Sequence, residues 1–197
     1  MFGRQPEWRR LQHVKFFDLP EDVKQELRYT SPFANRGFIS ANRSLKNEES
    51  FSGQKETFEV GNDSTPEYPE HWPNEARLTE LAGFRETIKD FHARCHELQL
   101  KVLALIARSI GLPDTHFEPF VSDKAHNLRL LHYPARSRKT ASGDVRFQEH
   151  TDVGLLTLLW ALDVDGLEVL GPNGWTPCPP QSGTLTINFA DALARCT

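Results

Sequence analysis

The 197-residue sequence has no run of about eighteen apolar residues, the minimum that spans a bilayer, and its opening stretch "MFGRQPEWRRLQ" lacks the apolar segment of a secretory leader. The expectation is a cytoplasmic chain with no membrane partner. Cysteine is scarce: Cys95, Cys178 and Cys196 are odd in number and show no CxxC spacing, which excludes a disulfide framework and a cysteine-rich zinc site. No GxSxG elbow, Walker loop or dinucleotide-type glycine loop occurs, so nucleophilic-serine and phosphate-cradling chemistries find no support. Basic charge is thin as well. With a net charge of -4, and with Arg9-Arg10 and Arg136-Ser137-Arg138-Lys139 short and far apart, there is no footprint for nucleic acid. What is present, 38% hydrophobic and 25% charged residues, is the balance of a soluble globular domain.

Residues 5–29 read as two helical pieces, an amphipathic one through Trp8, Leu11 and Val14, then "DLPEDVKQEL" with Asp18 as cap and Pro20 in the first turn. From Tyr29 to Asn74 the Ser, Asn, Gly and Pro content predicts irregular connection, with one short strand at "ETFEV". Phe84, Ile88, Phe91, Cys95, Leu98, Val102 and Leu105 then repeat at steps of four and three, one buried face of a long helix. It continues through Ile106 and Ile110 and stops at Gly111-Leu112-Pro113. Beyond Pro113, "NLRLLHYP", "VRFQEHT", "LLTLLWAL", "GLEVL" and "GTLTINF" read as strands, with "SRKTASGD" as a loop. A helical part followed by short strands gives an α+β class.

The chemically informative stretch is "QEHTDVGLLTLLW". Alternate residues of an extended chain face one way, so His150 and Asp152 can both reach one ion. Eight histidines and eleven aspartates would produce roughly 0.4 such pairs by chance, so the pair alone is weak. Its place at the mouth of an apolar run suited to a strand buried on both faces strengthens it, because a polar pair there needs hydrogen bonds or a metal. The alternative is a structural aspartate turn. A rival zinc pair, His92 and His96 at i and i+4, has Ala93 where a zincin places its glutamate, and reads better as a helix surface. His126 and His132 border the "HNLRLLHYP" strand and read as structural.

In order along the chain, "FFDLPEDVKQELRY", "RGFI", "KETFEVG", "HWPNE", "IARSIGLP", "LRLLHYP", "EHTDVGLLTLL", "GLEVL" and "GWTPCPPQSGTLTINFADAL" resemble the iron(II)- and 2-oxoglutarate-dependent dioxygenases of the isopenicillin N synthase-like group. The resemblance implies a double-stranded β-helix (jelly roll) behind a helical N-terminal part. The division it suggests is 1–113 and 114–197. It implies iron(II) held by two histidines and one carboxylate, with His150 and Asp152 as the first two ligands and three positions left for 2-oxoglutarate and dioxygen. Tyr133 matches a position that contacts 2-oxoglutarate in relatives. Arg129 and Leu131, on the same face of that strand, are candidates to touch a small organic substrate undergoing hydroxylation or desaturation.

By the same resemblance the second histidine ligand falls about nine residues past Thr197, and the arginine for the far carboxylate of 2-oxoglutarate later still. The sequence therefore reads as a truncated member with an incomplete jelly roll, short at the N-terminus also. The alternative to an oxidoreductase is a catalytically inactive remnant or binding module of the same fold.

Overall fold

The computed structural model describes residues 7–28, 36–40, 55–61, 71–135, 147–161 and 165–196. The chain divides into two compact units, residues 8–149 and residues 150–197 together with 1–7.

In the larger unit, α1 (Glu7–Phe17) and α2 (Glu21–Gln25) precede β1 (Gly37–Ile39) and β2 (Glu56–Val60), followed by α3 (Phe84–Ser109) and β3 (Leu128–His132). The three strands form one antiparallel sheet in the order β1-β2-β3. Register fixes the two faces: Phe38, Phe58 and Leu130 lie in one row, with Val60 opposite Leu128, while Glu59 opposes Arg129 and Thr57 opposes Leu131 on the other face.

The first face is the core. Phe16 packs against Phe58 at 4.4 Å between ring centroids and stacks on Phe84 at 5.4 Å, with Phe38 edge-on at 6.3 Å. All four rings are fully buried. Each buried phenyl contributes about 1.5–3 kcal/mol, so the aromatic cluster dominates the unit's cohesion.

A charged pair, Lys24 and Glu56, is buried at this face. Lys24, 5% exposed, donates to Glu56 Oε1 at 3.0 Å, Glu56 Oε2 at 3.2 Å and the Phe17 carbonyl at 3.1 Å, and lies 5.2 Å from the Phe38 ring. His132 Nδ1 meets Glu56 Oε2 at 3.0 Å. Every proton of the ammonium thus has a partner, the condition for burying a charge.

Several expectations need correction here. Pro20, not Asp18, is the N-cap of α2, and no side chain caps it. On α1 the buried positions are Gln12, Phe16 and Phe17, whereas Val14 is exposed; the side chains of Trp8 and Leu11 lie outside the described residues. β1 has no counterpart in the sequence reading, because "GFI" is three residues long in a glycine- and proline-rich stretch.

On α3 the expected stripe holds at Phe84, Ile88 and Phe91 but not at Leu105, 62% exposed, or Ile110, 44% exposed; Leu103 and Ala107 are buried instead. At 3.6 residues per turn those two lie about a third of a turn from the first three. The physical reason is that the aromatic cluster ends at Ile88, so the second half of the helix buries a different line. Its end is as expected: Gly111 takes φ +79, Gly111 N–H donates to the Arg108 carbonyl at 3.2 Å and Leu112 N–H to the Ala107 carbonyl at 2.9 Å, a Schellman closure.

In the smaller unit β4 (Leu156–Leu159) pairs antiparallel with β7 (Thr186–Phe189), β5 (Glu168–Gly171) with β6 (Gly174–Pro177), and α4 (Asp191–Cys196) follows. Residues 147–151 of the expected "VRFQEHT" strand are not strand, and residues 145–146 lie outside the described residues, as do the "SRKTASGD" loop and the 136–139 basic run. The β4 run is half-buried rather than buried on both faces, and Val153 before it is 82% exposed, because among the described strands β4 has the single neighbour β7. None of the three cysteines forms a disulfide. No described helix is long and apolar enough to cross a membrane.

Candidate metal centre

His150 and Asp152 lie in the extended segment that enters β4, where alternate side chains face one way without needing a ladder. His150 Nε2 stands 3.6 Å from Asp152 Oδ1, with the two side chains 49% and 24% exposed. Two donors each about 2.1 Å from a common ion at a right angle are about 3.0 Å apart. A small side-chain rotation therefore brings this imidazole and carboxylate onto one metal, and the nitrogen-plus-oxygen donor set suits iron(II).

The carboxylate is aimed by neighbours that the sequence did not announce. Asn188 Nδ2, on β7, donates to Asp152 Oδ2 at 3.3 Å, leaving Oδ1 on the His150 side. Such outer partners orient metal-ligating carboxylates. Thr151 Oγ1 donates to Asp191 Oδ2 at 2.8 Å. The start of α4 is tied to the same segment: Asp191 N–H donates to the Asp152 carbonyl at 2.8 Å and Ala190 N–H to the Leu155 carbonyl at 3.1 Å. A recognisable signal was the asparagine in "TINFAD", a poor strand former inside a strand.

Among the described residues no group of three or more His, Cys, Asp or Glu side chains is placed to hold a metal. His150 and Asp152 are two candidate donors, one fewer than the three protein ligands of a facial triad.

Arg129, Leu131 and Tyr133 belong to the larger unit. Strand alternation puts Arg129 and Leu131 on the face of the sheet opposite the aromatic core, and Tyr133 follows the end of β3. Arg129 Nε lies 2.7 Å from Glu59 Oε1, and Asn127 Nδ2 donates to Glu59 Oε2 at 2.7 Å, so both oxygens of a fully buried carboxylate are occupied. Arg129 is thus held in a salt bridge with Glu59. Lys55, one residue before β2, lies 3.5 Å above the Phe147 ring. Burial, with the Arg129 charge acting in the same direction and Glu59 opposing, lowers its ammonium to about 8.

The backbone beneath is also fixed: on the far edge of β3 the Leu131 carbonyl accepts from His13 Nε2 at 2.9 Å. Burial lowers the His13 imidazole, its bond to that carbonyl opposing. The structural reading of His132 holds, since its ring is committed to Glu56.

Residues 124–197 match the family model described as the 2OG-Fe(II) oxygenase superfamily. The chain is 35% identical over 192 residues to a proline hydroxylase of Petromyces alliaceus, covering 92% of this chain and 59% of that protein. It is 30% identical to a 2-oxoglutarate-dependent dioxygenase of Aspergillus rugulosus, again covering 92% and 59%. It therefore spans about three-fifths of the length of these curated relatives. Among solved structures, a C-terminally truncated Neurospora crassa protein in apo form superposes with a TM-score of 0.81 at 36% identity, covering 98% of this chain and 68% of that one. The full-length form of the same Neurospora crassa protein, in complex with alpha-KG and thymine, superposes with a TM-score of 0.84 at 35% identity, covering 97% and 62%. With a match of this extent to the Neurospora crassa structures, and a family match that takes in His150 and Asp152, the chain belongs to the 2OG-Fe(II) oxygenase superfamily.

Proposed function

We propose that the protein is a non-haem iron(II)- and 2-oxoglutarate-dependent oxidoreductase that hydroxylates or desaturates a small organic molecule, with dioxygen as co-substrate. The observation that carries this reading is the pairing of His150 Nε2 with Asp152 Oδ1 at 3.6 Å, inside the stretch that matches the family. It is supported by the Neurospora crassa complexes, which contain alpha-KG together with thymine or with 5-formyluracil in a chain of similar fold.

In this reading residues 114–197 form part of a jelly-roll oxygenase domain, and residues 1–113 precede it as a helical N-terminal region. His150 and Asp152 are two iron ligands, and a second histidine completes the triad. Bound iron(II) supplies the open positions at which the oxoacid and dioxygen react together. The chain's own residues do the remaining work. Asn188 holds Asp152 Oδ2, so Oδ1 is presented to the metal in a fixed orientation. Tyr133 contacts 2-oxoglutarate, and Arg129 and Leu131 face the substrate from the same side of β3. Leu155 to Leu159, half-buried beside the pair, keep water from the reacting centre.

The test is conversion of 2-oxoglutarate to succinate by the purified protein under air with iron(II). Native protein forms succinate, and His150→Ala and Asp152→Ala each abolish it. Succinate formation that survives both substitutions would overturn the assignment of the site.

A further inference from the structure

A cluster of three imidazoles lies apart from this site. His92 and His96, at i and i+4 on α3, are crossed by His126 from the turn that leads into β3. The His126 ring stacks on His92 at 4.0 Å between centroids, 13° from parallel, and on His96 at 5.2 Å, 1° from parallel. His92 Nε2 donates to the His126 carbonyl at 3.1 Å. Both ring nitrogens of His126 and Nδ1 of His96 are buried without a hydrogen-bond partner. Rings packed face to face direct their in-plane lone pairs along separate parallel planes, so this geometry does not converge on an ion. It is the packing of neutral aromatic rings, and a positive charge on His126 faces the His92 ring at 4.0 Å and the His96 ring at 5.2 Å.

The charged surroundings offer little relief. Acting on His126 are His92 and His96 from α3 and Lys124 from its own turn; acting on His96 are Lys124 and His92, with Glu97 and a hydrogen bond to Gln99 opposing. Burial first, then the two neighbouring imidazoles, lower His126 to about 4, and burial lowers His96 as well.

The turn held by the stack has a structural consequence. Asn127, the next residue, donates to Glu59 Oε2 at 2.7 Å and accepts from Arg36 Nη1 at 3.2 Å, and β3 begins one residue later. Glu59 in turn holds Arg129.

We propose that the His92–His126–His96 stack is a proton-operated latch: with all three rings neutral it clamps the 123–127 turn onto α3, and protonation of the stack releases the turn and loosens the start of β3. The proton comes from solvent, one per imidazole, and no covalent bond changes. Because the folded-state values are depressed, the clamp is complete above the ordinary histidine value of about 6.5 and is lost as pH falls from there towards about 4. The inference is independent of the oxygenase reading, since neither iron nor 2-oxoglutarate enters it.

Linkage between about 4 and about 6.5 raises the open fraction about thirtyfold at pH 5, which partial exposure of His126 reduces to about tenfold. Hydrogen exchange of the native protein, corrected for intrinsic rates, is measured at pH 7.5 and pH 5. The expected result is about tenfold loss of protection confined to amides 124–128 at the lower pH, and no such loss in His126→Phe, which keeps a ring in the stack without a titrating group. Imidazole NMR of the native chain gives a second reading that needs no variant, with His126 titrating well below 6.5. Protection that is independent of pH, an equal loss in His126→Phe, or a His126 midpoint at or above 6.5 would overturn the proposal.

Discussion

Substituting Lys24 by methionine tests the buried ion pair beneath the sheet. Lys24 and Glu56 are both buried, and the ammonium makes three hydrogen bonds of 3.0–3.2 Å, two of them to that carboxylate. Removing one partner of such a pair costs about 3–5 kcal/mol, because the other charge stays behind in a dry place. Here His132 Nδ1 remains on Glu56 Oε2, which places the cost near the lower end, about 3 kcal/mol. For a unit of this size that lowers Tm by about 6–12 °C. Glu56→Leu leaves the lysine the Phe17 carbonyl and the half-exposed Glu21 carboxylate at 3.5 Å and costs a similar or smaller amount, whereas Lys24→Met with Glu56→Leu removes both charges and costs well below the sum. Urea unfolding followed by the fluorescence of Trp72, which packs 6.4 Å from Phe58 and Phe84, reads all three variants. A single-variant loss under about 1 kcal/mol, or a double variant equal to the sum, would show that the pair is not desolvated as described.

Phe58→Ala, at a fully buried ring in contact with Phe16, Trp72 and Phe84, lowers unfolding free energy by about 3–5 kcal/mol in the same assay. Glu75→Ala removes the carboxylate that accepts from Gly83 N–H at 2.8 Å and Arg85 N–H at 2.7 Å at the start of α3; it costs about 0.5–2 kcal/mol, and a loss of helix signal before the main transition locates it. Gly111→Ala puts a Cβ at φ +79 and costs about 1 kcal/mol, with Gly111→Asn intermediate, both read by urea unfolding. Asn188→Ala leaves fold and His150 in place but frees Asp152 to rotate, so iron(II) affinity falls about tenfold to a hundredfold, read by competition with a chelator.

Local rules are sufficient for some of these features. The end of α3 is legible because a glycine followed by leucine and proline has one low-energy way to close a helix, and the structure uses it at Gly111. The aromatic face of α3 is legible from Phe84 to Phe91 and then fails at Leu105, since spacing reports a periodic stripe but not which neighbour each half of the helix meets. The strand at Gly37–Ile39 is held by partners in Thr57–Glu59, far along the chain, and carries no local signature. The same distinction runs through the candidate site. His150 and Asp152 share one side through their i, i+2 spacing, while Asn188 and Asp191 reach that segment only through the β4–β7 pairing. Lys24 and Glu56 carry no local sign of burial; the sheet brings Glu56 opposite His132 and the Lys24 ammonium onto its carboxylate.

Anaerobic titration of the purified protein with iron(II) in the presence of 2-oxoglutarate, followed by the visible charge-transfer absorption of the ternary complex, addresses the metal centre itself. The account predicts saturation at one iron per chain in the native protein, with the absorption lost in both His150→Ala and Asp152→Ala. Equal saturation in the native protein and the two variants would contradict it.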